Sequence, residues 1–292
     1  MGRYRDAIAG ASAMAALVLC GGTILFAASY VLLESAPVIA TTGLGRLLFL
    51  DRWQPSGITP SFGLIHAWVS TVAVTALAMA LAVPVGLIIG LFLSEVAQPP
   101  VRAVVRPCLD LLAGIPSVVY GFFGYVALLP WLEQSFGMAT GESMLAAGLV
   151  LAVMILPYVG GTSAEAFQNV PFDLREAALA HGTTRFHVIR RVVIPAAATG
   201  LFTAVALGLA RALGETLAVL MLSGNATTIP LSPFDRGQPL TALIATELGE
   251  AGAGGAKYQA LFAAGALLMV MSVAVNSGIW ALKHRMTRHA AS

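Results

Sequence analysis

Charge is what this sequence has least of. Asp, Glu, Lys and Arg make up 10% of its 292 residues, where a soluble domain carries about 25%. Hydrophobic residues reach 58% and the mean hydropathy is +0.85, so water is not the main solvent of this chain. The 16 basic and 14 acidic residues nearly cancel, and a formal charge of +2 gives no basic surface for nucleic acid. Cysteine is almost missing. Cys20 and Cys108 share no CxxC or metal-ligand spacing, which removes a disulfide framework and a zinc site from consideration. The five histidines form no HExxH. Neither GxxxxGK[ST] nor GxGxxG occurs, so no nucleotide-binding loop is encoded and no cofactor is expected on this chain.

What is present is a series of apolar runs. A helix needs about 20 such residues to cross the hydrocarbon core. Runs of that length lie near Ile8 to Leu33, Leu64 to Leu93, Leu111 to Leu132, Ser143 to Ala164, Ala196 to Leu222 and Tyr258 to Leu282. They predict an all-α, polytopic membrane protein of about six transmembrane helices, in contact with lipid. The first run is longer than the roughly 7 to 15 residues of a cleavable signal core, and reads as a retained helix. Orientation follows from the positive residues, which short cytoplasmic segments retain. With the N-terminus inside, the cytoplasmic side collects Arg3, Arg5, Arg102, Arg106, Arg175, Arg185, Arg190, Arg191, Lys283, Arg285 and Arg288; the other side holds only Arg46, Arg52, Arg236 and Lys257. Both termini are therefore expected in the cytoplasm. The expected division is a first helix and outer loop at 1–63, a core of five helices at 64–285, and a cytoplasmic tail at 286–292.

Several runs carry proline or paired glycine, as at Pro84, Ile115-Pro116-Ser117 and Pro157. A lost backbone donor bends a helix, and bent helices line pathways. The plainer alternative is close packing, which Gly86-xxx-Gly90 would allow. No repeat of 20 to 50 residues and no inverted duplication is apparent, which disfavours a transporter of two homologous halves.

The most polar stretch is the segment 165–195 between the fourth and fifth runs. Asp173 is a candidate N-cap and Glu176, three residues on, would complete a capping box, with Gly182 as the stop. Leu174, Ala177 and Ala178 would then share one face of a short helix. Such a helix is marginal alone in water, so it packs either on a partner or, through Arg185, Arg190 and Arg191, on lipid headgroups.

Glu176-Ala177-Ala178, then Gly182, then Val192-Val193-Ile194-Pro195 resembles the EAA loop of ABC importer permeases in full spacing. The resemblance implies the type I importer permease fold, with a coupling helix inserted into a cytoplasmic ATPase dimer that uses ATP and Mg²⁺. A narrower resemblance rests on Trp53-Gln54-Pro55 with Phe62-Gly63, on Leu112 to Gly121, and on Ala210 to Val219. These are similar to phosphate-specific permeases. Ser223-Gly224-Asn225, Thr241 to Ala245 and Gly249-Glu250-Ala251 are closer to the PstC type than to PstA. That family implies three partners: a second, PstA-like permease, a PstB-like ATPase dimer, and an extracytoplasmic PstS-like phosphate-binding protein docked on Glu34 to Gly63 or Ser223 to Lys257.

Within the fifth run, Arg211 and Glu215 stand four residues apart, followed by Thr216. Insertion scales place a mid-membrane Arg at about 2.5 to 3.5 kcal/mol, so it needs a counter-charge, water or an anion. Either the two residues simply neutralise each other, or they mark an anion pathway, Arg offering a donor fork matched to phosphate oxygens. In that pathway Glu215 either orients Arg211 or accepts a proton from the anion. Two other readings stay open: a proton-coupled anion transporter or channel, and an importer for sulfate or molybdate. A membrane enzyme is disfavoured, because the runs hold no convergent His, Cys or paired carboxylates.

Overall fold

In lipid the backbone must satisfy its own polar groups, so apolar runs of this length fold as helices. The computed structural model describes residues 2–290 apart from 51 and 58, with side chains described for most of 10–281. Arg3, Arg5, Lys283, Arg285 and Arg288, which carry part of the orientation argument, lie outside the described side chains, as does the tail at 286–292.

In chain order the elements are α1 (Gly2–Thr42), α2 (Leu44–Phe49), a two-residue hairpin of β1 (Trp53–Gln54) and β2 (Ser61–Phe62), α3 (Ile65–Leu91), and α4 (Pro99–Gly114). There follow α5 (Ser117–Phe123), α6 (Leu129–Phe136), α7 (Met144–Gln168), α8 (Phe172–Ala180), α9 (Arg185–Val188), α10 (Ile194–Leu213), α11 (Leu217–Leu222), α12 (Leu240–Glu247) and α13 (Ala256–Ala290). π-helical turns extend α3 at Phe92–Val96, join α5 to α6 at Gly124–Leu128 and join α9 to α10 at Ile189–Val193. Five helices are long and apolar enough to cross a membrane, and the pair 99–114 and 117–136, bent by 94°, makes a sixth crossing if counted as one.

The centre is built by α3 and α7, and small residues explain how they approach. A Cβ on Gly86 would sit 2.8 Å from Val159 Cγ1, one on Gly90 2.8 Å from Ala164 N, and one on Gly148 2.6 Å from Leu77 Cδ2. Ser163 Oγ donates to Gly86 O at 3.3 Å across the same seam. Gly208 brings α10 against Val159 from the other side. Around this seam Val74, Ala78, Ala82, Leu151, Ile155, Ala212 and Leu222 form the main core. Helix α1 packs on α13 and leaves Leu17, Leu25 and Phe26 about 70% exposed, the composition of a lipid-facing surface.

One end of the bundle, here the loop face, carries 43–64, 137–143 and 223–255. Trp53 pairs with Phe62 across the hairpin, and both join Leu47, Leu64, Leu240 and Leu261 in a second core. The opposite end, the elbow face, carries 97–98 and 169–184.

The bend expected at Pro116 is present: Pro116 has no N–H to give and Ile115 before it is extended (φ −69°, ψ 129°). Pro84 and Pro157, by contrast, remain inside unbroken helices. The fifth run stops at Leu213 and restarts at Leu217. Much of 165–195 is helical: α7 runs on to Gln168, and after α8 the helix resumes at Arg185, where Thr184 Oγ1 accepts from His187 N at 3.3 Å.

Candidate functional site

Two helix interruptions lie near each other. α5 and α11 run side by side, because a Cβ on Gly121 would lie 3.0 Å from Ala218 Cα and one on Gly124 2.8 Å from Leu222 Cδ1. Their first turns, after Pro116 and after Thr216, thus lie at similar depth. Tyr120 Oη donates to Leu112 O at 2.9 Å and Tyr158 Oη to Ala113 O at 3.4 Å, so two phenols hold the last carbonyls of α4 freed by the bend.

Arg211 and Glu215 occupy the second interruption. Arg211 Nη1 lies 3.1 Å from Glu215 Oε2, with side-chain exposures of 35% and 2%. The pairing expected from the spacing is therefore present, although on a helix end and the break after it rather than on one helical face. The break puts the carboxylate to a second use: Glu215 Oε1 accepts from Ala218 N at 3.4 Å, in the first turn of α11, where negative charge is favoured. Glu215 O in turn accepts from Thr241 Oγ1 at 2.8 Å, fastening the break to α12. The buried acid is held in place while the cation is one-third open, so the exposed pole of the pair is positive. The Arg211 guanidinium carbon also stands 6.0 Å from the Tyr158 ring centroid, a cation–π distance. Thr216 precedes α11, and its Oγ1 turns back to Gly214 O at 3.5 Å.

A second cluster lies at the elbow face. α8 starts at Phe172 after Pro171, with no side-chain cap. The expected capping box is absent: Pro171 takes the cap position, which moves Asp173 into the first turn and leaves Glu176 exposed. Gly182 behaves as expected, with φ +74° and its N–H donating to Leu179 O at 2.9 Å. Leu174, Ala177 and Ala178 do not share one environment. Ala178 packs into the apolar cluster of Phe167, Val170, Val188, Val193 and Ala197, whereas Leu174 and Ala177 are exposed. Phe172 (65%), Leu174 (47%) and Phe186 (71%) leave an apolar patch beside Glu176. Pro195 lies in the first turn of α10, directly after the π-helical turn that joins it to α9.

Tyr120, Tyr158 and Thr241 escaped sequence reasoning, since nothing in an apolar run says which neighbour a hydroxyl meets. Glu95 was missed as well, although a lone carboxylate at the end of a span is itself a signal. Among the described residues, no group of three or more His, Cys, Asp or Glu is placed to hold a metal. The segments 34–63 and 223–257 converge on a cleft of about 690 Å³, lined among others by Trp53, Asn225, Gln238, Glu247 and Lys257.

The bundle as a whole has the fold of a type I ABC importer permease. Solved structures share it: a bacterial alginate ABC transporter in complex with an alginate pentasaccharide-bound periplasmic protein (TM-score 0.64, 17% identity, 94% of this chain and 95% of that one), and the MetNI methionine ABC transporter (TM-score 0.60, 20% identity, 76% and 95%). Residues 82–288 match the family described as binding-protein-dependent transport system inner membrane component, and the chain belongs to that family. Its relatives include the probable ABC transporter permease YqgH of Bacillus subtilis (41% identity, 79% of this chain and 75% of that protein). Another is the phosphate transport system permease PstC of Mesorhizobium japonicum (35% identity, 90% and 84%). The chain is thus an inner-membrane transport subunit of an ABC importer with PstC-type relatives.

Proposed function

We propose that this chain forms one half of a phosphate pathway and that a cytoplasmic ATPase dimer drives it through α8. The observation that carries the phosphate assignment is the one-third exposed Arg211 held by a buried Glu215 between two broken helices. Such a geometry presents a fixed donor fork to a tetrahedral oxyanion at a depth where water is scarce. Glu215, already bonded to Arg211 and to the start of α11, orients the arginine rather than taking a proton from the anion. PstC-type relatives support phosphate over sulfate or molybdate.

In this assembly a PstA-like permease completes the pathway and a PstS-like binding protein delivers phosphate to the loop face. PstB-like ATPase subunits, which use ATP and Mg²⁺, receive α8 with Asp173, Leu174, Glu176, Ala177 and Phe172 exposed, Gly182 ending the helix and Pro195 lying in the helix that follows. The elbow face and both termini are cytoplasmic. The core permease at 64–285 carries the pathway, and 1–63 adds a flanking helix and outer loop.

Vesicles containing the full assembly test this. Phosphate uptake is expected to require ATP on the elbow side together with the binding protein, and excess sulfate should not compete. Uptake driven by a proton gradient without ATP would replace this account with the secondary-transporter one. A Glu176→Cys variant should label from the cytosol only.

A further inference from the structure

The side of α8 that faces the bundle carries a charge link that neither the pathway nor the exposed patch uses. Arg175 Nη2 lies 2.8 Å from Glu95 Oε1 and also donates to Phe167 O at 2.7 Å. The side chains are 20% and 13% exposed, so the pair is mostly shielded from water. Glu95 sits in the π-helical turn at the end of α3, a geometry that shifts a side chain out of helical register. That turn is braced from two directions. Ser94 Oγ donates to Glu95 Oε1 at 3.0 Å, and Arg102 Nη2, from α4, donates to Ser94 O at 3.1 Å.

α8 has nine residues, too few to be stable alone, and two kinds of contact fasten it. Ala178 enters an apolar cluster that also includes Leu91 of α3 and Leu201 of α10. Apolar contact is non-directional and lets surfaces slide, whereas a hydrogen-bonded charge pair fixes direction and distance. Arg175 is therefore the directional link from α8 to α3 and to the last turn of α7. From there the small-residue seam of Gly86, Gly90 and Ser163 makes α3 and α7 move as one, and α7 carries Tyr158 beside Arg211.

We infer that the Arg175–Glu95 pair is the positioning link that transmits displacement of α8 to α3 and α7, so that breaking it separates ATP hydrolysis from transport. The inference rests on the function proposed above. Arg175 does not touch the transported anion, and it faces the bundle rather than a docked ATPase.

Two measurements test it. Hydrogen exchange on the full chain in nanodiscs reads the link without any partner: amides of 173–180 should exchange roughly tenfold faster in Arg175→Ala and in Glu95→Ala, the scale of a hydrogen-bonded charge pair. Arg175→Lys should lie between wild type and Ala, and the reversed pair Arg175→Glu with Glu95→Arg should recover part of the protection. Unchanged exchange in both single variants overturns the link whatever the chain transports. In the complete assembly, the Ala variants should keep ATP hydrolysis within about twofold while phosphate uptake falls about tenfold or more, on the same scale, with partial rescue by the reversed pair. Uptake and hydrolysis falling in proportion would mean that the pair merely supports docking, and would overturn the transmission role. A wild-type assembly that imports no phosphate would refute the proposed function instead, leaving the exchange result to decide whether the link exists.

Discussion

Removing the guanidinium from Arg211 separates its two possible duties. In Arg211→Ala the Glu215 carboxylate, 2% exposed, loses its counter-charge and keeps one long bond from Ala218 N at 3.4 Å. Stripping one partner from a buried pair costs about 3 to 5 kcal/mol. The low end applies, because Arg211 is 35% exposed. Glu215→Gln added to Arg211→Ala removes the buried charge, keeps an acceptor for Ala218 N and should recover most of that loss. Transport should not follow. Each charge-assisted bond from Arg211 to an oxyanion is worth about 1.5 to 3 kcal/mol, so losing two slows uptake by roughly a hundredfold or more at 1.4 kcal/mol per decade. The assay is a cycle of wild type, both single variants and the double variant, scored for thermal stability in detergent and for phosphate uptake in vesicles. A double variant that regains stability and also regains uptake would show the pair to be a packing device, and the anion role would fall.

Three other outcomes follow from the geometry. Gly90→Leu drives a side chain into Ser163 and Ala164 and should cost about 1 to 3 kcal/mol of stability, as overpacking does; a normal melting temperature would contradict the tight seam between α3 and α7. Tyr120→Phe removes the bond to Leu112 O at 2.9 Å, loosening the bend by about 1 kcal/mol, and should raise hydrogen exchange at 112–119 without altering membrane insertion. Gly182→Val has open space around its new Cβ but a φ of +74°, so its cost, about 1 to 3 kcal/mol, is conformational. The variant should insert normally yet lose phosphate uptake, and unchanged uptake would remove α8 as the coupling element.

The number of crossings, the Gly86 and Gly90 seam and the turn at Gly182 were all legible in the sequence, because each depends on local pattern: run length, small-residue spacing, a residue free to adopt positive φ. The cap of α8 was not. Asp173 and Glu176 have the right spacing for a capping box, but Pro171 before them starts the helix two residues early. The fifth crossing shows a similar limit. Spacing of four predicts that Arg211 meets Glu215, and it does, yet the helix ends between them at Gly214 and Glu215 also accepts from the start of α11. Tyr158, Thr241 and Glu95 act through partners 45, 26 and 80 residues away, and no one-dimensional pattern encodes such meetings.

The most direct test is to purify the tagged chain in mild detergent with whatever ATPase and second permease accompany it, then measure ATP hydrolysis with and without phosphate-loaded binding protein. An ATPase should co-purify through α8, and its hydrolysis should rise only when loaded binding protein is added. A chain that purifies without any ATPase, or hydrolysis indifferent to the loaded protein, would contradict the account.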